Sequence, residues 1–179
     1  EALLRVSIPY RIYGGLRFYE RLEIKNAIAY LKVVFNNNDN PSFERSISNP
    51  TRGVGEKTLA KIRNTAKQFN LSYIKASAKL VDEGSIGGRG GAGLKDYLEF
   101  IAGCKSFIED NLLSELMELI IKETGLYAYH AKEPGEKGKT RTENLEELIT
   151  ATKNFEQSIS EDKSNLEIAE TYLDIISLD

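Results

Sequence analysis

Apolar residues recur along this chain at helical spacing in one segment after another, and polar or glycine-rich breaks separate the segments. From Tyr19 onward, Leu22, Ile24, Ala27, Ile28, Leu31, Val34 and Phe35 follow helical spacing, and Asn36-Asn37-Asn38-Asp39-Asn40-Pro41 ends the pattern. A short helix near Ser42–Ser48 leads into the turn Asn49-Pro50-Thr51-Arg52-Gly53-Val54-Gly55. Leu59, Ile62, Ala66 and Phe69 form the next apolar stripe, with Lys57, Lys61, Arg63 and Lys67 mostly off it. Ser72–Val81 reads as another helix, and Gly84–Gly93 as a glycine-rich connector to a helix from about Leu94 to Ile108. Leu112–Glu123 is helical and closes at Thr124-Gly125, the expected C-terminal cap. Lys132–Thr140 reads as a polar, flexible loop, Thr142–Phe155 as a strongly periodic helix, and Ser164–Leu178 as the last helix. Ile8–Tyr13, closed by Gly14-Gly15, reads as a short strand. The fold expected is mainly α: seven or so helices with one short N-terminal strand and no fixed-period repeat.

The Arg52–Gly55 turn is the most informative stretch. Two glycines around one small apolar residue allow positive φ and a close backbone approach. The basic helix that follows offers unpaired N–H groups and the positive end of its dipole. Such a turn can cradle phosphate. The order Thr-Arg-Gly-Val-Gly-x-Lys-Thr has the pattern of a helix–hairpin–helix, which docks backbone N–H groups on duplex phosphates without reading bases. On this reading Thr51, Arg52, Gly53, Val54, Gly55, Lys57, Thr58 and Lys61 are the DNA-binding candidates, with Gly88 and Arg89 as a second contact. Two plainer readings stand beside it: a tight connection between helices, and a flexible linker at Gly87–Arg89.

Charge sharpens this picture. The 179 residues carry a formal net charge of −3. Residues 41–80 hold eight Lys/Arg against Glu44 and Glu56, whereas 143–179 hold ten acidic residues against Lys153 and Lys163. A basic block beside the glycine turn is the electrostatic footprint of a phosphate-backbone binder, although two solvated helix faces of opposite sign would look the same. With 41% hydrophobic and 28% charged residues the chain reads as one globular domain, with or without a small appendage. A single Cys excludes an internal disulfide and suits the cytoplasm. No apolar run reaches the roughly 18 residues of a membrane helix. The start at Glu1, inside a periodic pattern, suggests a piece of a longer protein.

No enzyme site emerges. His130, the only histidine, reads as a surface or packing residue, and Cys104 as a small buried hydrophobe. No metal set and no catalytic constellation can be assembled around them. Gly138-Lys139-Thr140 looks like the end of a phosphate-binding loop, but the first glycine would have to stand at Glu133 and no strand precedes it. Lys137, Lys139 and Arg141 read instead as a basic tip ahead of an acidic helix.

Three segments carry a family resemblance. Ile8-Pro9-Tyr10-Arg11-Ile12-Tyr13-Gly14-Gly15, continuing through Phe18-Tyr19-Glu20-Arg21 to Lys25, resembles a stretch of the UvrD/Rep/PcrA-type superfamily 1 DNA helicases. Pro50–Gly55 is similar to their glycine turn, and Glu136-Lys137-Gly138 through Arg141, Glu143, Asn144 and Leu148 to another of their motifs. Asn26 and Val54 are small departures, standing where the family often has Asp and Ile.

The resemblance implies the helical 2B subdomain of an ATP-driven 3′→5′ helicase of DNA repair or replication. Residues 1–18 would flank the RecA-like motor domain 2A, 19–155 would form 2B, and 156–179 would return to the motor. Tyr13, Gly14, Gly15, Arg17, Arg21, Arg141, Glu143 and Asn144 would face the hinge or motor. No counterpart of the Walker motifs, the arginine finger or motifs V and VI is present, so no cofactor is expected on this chain, while the parent would use ATP and Mg. Expected partners are the duplex or junction DNA backbone, without sequence preference, the rest of the helicase chain and repair proteins; a membrane is not among them. The rival is an autoinhibitory protein-interaction module with little DNA binding of its own.

Overall fold

The computed structural model describes residues 16–159 and 162–177. The strand expected at Ile8–Tyr13 lies outside the described residues, as do Tyr13, Gly14 and Gly15 of the expected hinge. Among the described residues a 3-10 helix, Leu16–Glu20, is followed by nine α-helices: α1 (Leu22–Phe35), α2 (Asn40–Ile47), α3 (Glu56–Phe69), α4 (Tyr73–Asp82), α5 (Gly88–Asp110), α6 (Leu113–Glu123), α7 (Leu126–Ala131), α8 (Gly135–Ser158) and α9 (Asn165–Ile176). The described residues contain no strand, and the fold is mainly α as expected.

Local chemistry starts several of these helices. Asp39 accepts from the Ser42 amide at 3.1 Å ahead of α2, and Ser72 from the Lys75 amide at 3.2 Å ahead of α4. Ser164 and Glu167 exchange reciprocal bonds at the start of α9. Gly125, at φ +89°, ends α6 in the left-handed conformation that glycine adopts without penalty.

Two expectations are corrected. The Gly84–Gly93 connector is only half a connector, because α5 begins at Gly88 and its glycines are helical. The polar loop at Lys132–Thr140 is mostly the first turns of α8, preceded by the short helix α7. At Gly138 the reason is visible: a methyl group there would run into the Glu133 and His130 carbonyls, so helix and preceding turn meet backbone to backbone.

Contacts divide the chain into two compact units, with the division falling inside α1 and α5. One comprises the described parts of Glu1–Ile28 and Ser106–Asp179, where α6 packs on α7, α8 and α9. Leu116, Met117, Ile120, Leu145, Leu148 and Phe155 fill its core. The Tyr19 and Tyr172 hydroxyls meet there at 2.7 Å. Glu156 of α8 accepts from both the amide and the hydroxyl of Ser114, closing the start of α6.

The other unit, Ala29–Lys105, packs α4 against α2 and α3. Its centre is aromatic. Phe43 stands edge-on to Tyr73 and Tyr97, and Tyr30 lies 6.1 Å from Tyr97. Each such ring contributes roughly 1.5–3 kcal/mol when fully buried. Arg63 of α3 ties α3 to α2 through a two-pronged ion pair with Glu44, at 2.9 and 2.6 Å.

Candidate nucleic-acid interface

Residues 48–55 join α2 to α3, all within the second unit. Arg52 holds this turn from beneath. Its guanidinium donates to the Tyr30 hydroxyl and, at 3.3 Å, to the Ser46 carbonyl. It lies 5.5 Å from the Tyr30 ring centre and 5.2 Å from that of Tyr97, close enough for cation–π attraction. Tyr30 in turn donates to the Asn49 carbonyl at 2.7 Å, and Ser46 and Tyr97 share a hydroxyl contact at 2.6 Å. Burial pushes the Tyr30 phenol up to about 12 although Arg52 opposes it, so Tyr30 stays a proton donor at neutral pH. Burial likewise raises the Tyr97 phenol.

With the guanidinium turned inward, the turn's outward groups are Thr51, Gly53, Gly55 and Lys57, while Val54 is buried beneath them. Gly53 takes φ +85°. Helix α3 starts from Gly55 with no side chain on its first N–H groups. Those donors are satisfied by water or by an external acceptor.

The first turn of α5 adjoins this hairpin. A methyl group on Gly53 would stand 3.1 Å from the Cβ and the carbonyl oxygen of Arg89. One on Gly90 would stand 3.1 Å from the Thr58 hydroxyl and 3.3 Å from the Gly53 carbonyl. At Gly93 the Arg52 carbonyl occupies the place of the missing side chain. The starts of α3 and α5 therefore meet, and Gly88 and Arg89 lie beside the turn, both exposed.

Lys57 and Arg89 are exposed and form no ion pair among the described residues. Lys61 donates to the Ser85 carbonyl at 2.7 Å, and Thr58 is half-buried. Arg63 spends its charge on Glu44 and Glu56, so the basic block is less free than its residue count. Tyr30, Ser46, Tyr97 and Gly93 hold the turn but carry no local signal of that role. Only the glycine spacing through 87–93, read from sequence as a connector, could have signalled a close approach.

The expected hinge residues fall in the first unit. Arg17, Arg21 and Glu143 are exposed, whereas Arg141 and Asn144 meet at Glu23. Buried Glu23 accepts from the Asn144 amide at 2.7 Å and faces the Arg141 Nε at 3.6 Å. Arg141 also donates to Glu133 at 3.0 Å, and Glu133 meets the buried His130 Nδ1 at 2.7 Å. His130 is thus a packing residue within a charged network. Its hydrogen bond, with the Arg141 contact behind it, holds the Glu133 carboxyl below the usual range. Burial pushes the Cys104 thiol up to about 12.

Gly138-Lys139-Thr140 is helical, with Gly138 buried against carbonyl groups, so it offers no cradle for a nucleotide phosphate. The described residues contain no cluster of three His, Cys, Asp or Glu side chains able to hold a metal ion. No described helix is long and apolar enough to cross a membrane.

The described residues define an all-helical unit whose glycine hairpin is braced by an arginine–tyrosine cage. A family model for the UvrD-like helicase C-terminal domain matches residues 1–83. DNA helicase II of Escherichia coli (strain K12) is 41% identical over 179 residues, all of this chain and 25% of that protein. DNA helicase II of Salmonella typhimurium is 44% identical over 155 residues, covering 87% of this chain and 22% of that protein. The ATP-dependent DNA helicase PcrA of Bacillus subtilis is 35% identical over 164 residues, 92% of this chain and 22% of that protein. The chain belongs to the UvrD/Rep/PcrA-type superfamily 1 DNA helicases. It spans about a quarter of the length of the curated relatives it matches.

Proposed function

We propose that this chain is the duplex-backbone-binding, regulatory 2B subdomain of an ATP-dependent 3′→5′ DNA helicase that works in cytoplasmic DNA repair or replication. ATP and Mg would be bound elsewhere in the parent. The observation that carries the reading is the meeting of two helix starts at an exposed glycine hairpin flanked by unpaired Lys57 and Arg89. Backbone N–H groups at Gly53–Gly55 and Gly88–Arg89 donate to phosphate oxygens, Thr58 adds a hydroxyl, and Lys57, Lys61 and Arg89 neutralise charge. Arg52 contributes through the shape of the hairpin it braces. These contacts fix position on the duplex and carry no sequence information. Arg17 and Glu143 are left to meet the rest of the helicase chain, and repair proteins are further partners.

The test is fluorescence anisotropy of labelled duplex, junction and single-stranded DNA with this chain at several salt concentrations. Binding to duplex is expected to weaken steeply with salt, and Lys57→Ala or Arg89→Ala should each lower the salt slope by roughly one. Absence of salt-sensitive duplex binding would sink the reading and leave an autoinhibitory module acting through protein contacts.

A further inference from the structure

The starts of α1 and α8 border a shallow, open cavity of about 450 Å³ within the first unit. Its charged lining is Arg21, Glu23, Glu136, Lys137 and Arg141, with Thr140 and Asn144 beside them. The duplex-binding reading uses none of it as a ligand site. The Arg21 and Lys137 side chains are exposed and make no ion pair or hydrogen bond among the described residues. Arg141 directs Nη1 at Glu133 and Nε at Glu23, which leaves Nη2 without a partner. Glu23 is already engaged by Asn144. The cavity thus holds three cationic groups with donors to spare, and one carboxylate, Glu136, without a partner.

We infer that this cavity binds an acidic protein segment, taking one Asp or Glu carboxylate between Arg21, Lys137 and the free Nη2 of Arg141. Guanidinium forks match carboxylate geometry in two-pronged pairs, and the Thr140 hydroxyl adds a further donor. The adjacent first turns of α1 and α8 favour an anion at the same place. The two carboxylates in the wall decide the class of ligand. A polyanionic backbone or a dianionic phosphate would be repelled by Glu136 and Glu23. A peptide offers one negative charge together with a backbone N–H that Glu136 accepts.

The experiment is a titration of the ¹⁵N-labelled chain, following backbone amides and arginine Nε–H signals by NMR. The probe is a blocked hexapeptide with two central aspartates, with its asparagine counterpart as control; inorganic phosphate and duplex DNA are tested separately. Saturable shifts centred on Arg21, Thr140 and Arg141 with the aspartate peptide alone are expected. Combining Arg21→Ala with Lys137→Ala should weaken that binding by roughly three- to tenfold. Both side chains are exposed and unpaired, so an unchanged spectrum elsewhere will show that the variant is folded. Equal response to the asparagine peptide, no response at millimolar peptide, an unaffected double variant, or a stronger response here to phosphate or DNA would each overturn the assignment. The readout is confined to the first unit, so it succeeds or fails independently of duplex binding at the glycine hairpin.

Discussion

The Arg52 guanidinium carbon lies 5.2 Å from the centre of the Tyr97 ring, joining the hairpin to α5 by a contact that points away from any ligand. Arg52 also donates to Tyr30 and Ser46, so it ties three segments of the second unit together. Arg52→Ala should lower stability by about 2–4 kcal/mol, from charged hydrogen bonds and cation–π contact together. Urea unfolding measures this. Arg52→Lys should recover only part, because an ammonium cannot reach both acceptors with a planar fork. A fully stable Arg52→Ala variant would refute the bracing role.

Gly93 and Gly103 sit on the same helix with opposite surroundings. A methyl group at Gly93 collides with the Arg52 carbonyl, whereas one at Gly103 meets nothing within 4 Å. Gly93→Ala should therefore cost about 1–3 kcal/mol and disturb the hairpin. Gly103→Ala should stabilise by about 0.5–1 kcal/mol, since it only removes glycine's excess unfolded-state freedom. Thermal unfolding of the two variants should show melting shifts of opposite sign.

Cys104 is buried, and that burial pushes its thiol up to about 12. Little thiolate exists at neutral pH, and the thiolate is the reactive form. An aromatic disulfide reagent should label the folded chain far more slowly than the chain in denaturant. Equal rates would show that α5 opens readily around Cys104.

The Glu133 carboxyl is held below its usual value of 4.5 by its hydrogen bond with His130 and the Arg141 contact. A carboxyl depressed in the folded state adds stability that is present above the unfolded value and is lost as pH falls through the folded one. Unfolding free energy should thus decline below about pH 4.5 more steeply in the unmodified chain than in Glu133→Gln. Parallel curves for the two would show that Glu133 contributes nothing to acid sensitivity.

Much of the fold was legible because most helices carry both a periodic apolar face and a local start signal. Ser72 ahead of α4 and Ser164 ahead of α9 are examples, capping the helices the pattern placed there. The start of α5 was not legible, since four glycines argue against helix by intrinsic propensity. What outweighs propensity is a contact distant in sequence, the Arg52 backbone settling into space that only glycine leaves open. The opening turns of α8 were hidden for a similar reason, at Gly138. At the hairpin, glycine order marked the connection between α2 and α3. The inward direction of Arg52 was not readable, because it depends on Tyr30 and Tyr97, 22 and 45 positions away, which looked like ordinary core residues. Glu23, Glu133 and His130 likewise became a network only once α1, α7 and α8 were packed.

The glycines beside the hairpin divide the loop and the helix into parts with different tolerance for a change of length. Gly84 and Gly87 have open space around them, so an added or missing residue there alters only a surface loop. From Gly90 to Gly93 the spacing is fixed by what each position faces: the Thr58 hydroxyl and Gly53 carbonyl at one end, the Arg52 carbonyl at the other. One inserted residue would turn the rest of α5 by about 100° and bring a different residue up to the Arg52 carbonyl. Insertions and deletions in related chains should therefore collect before Gly88 and be excluded from the five residues after it.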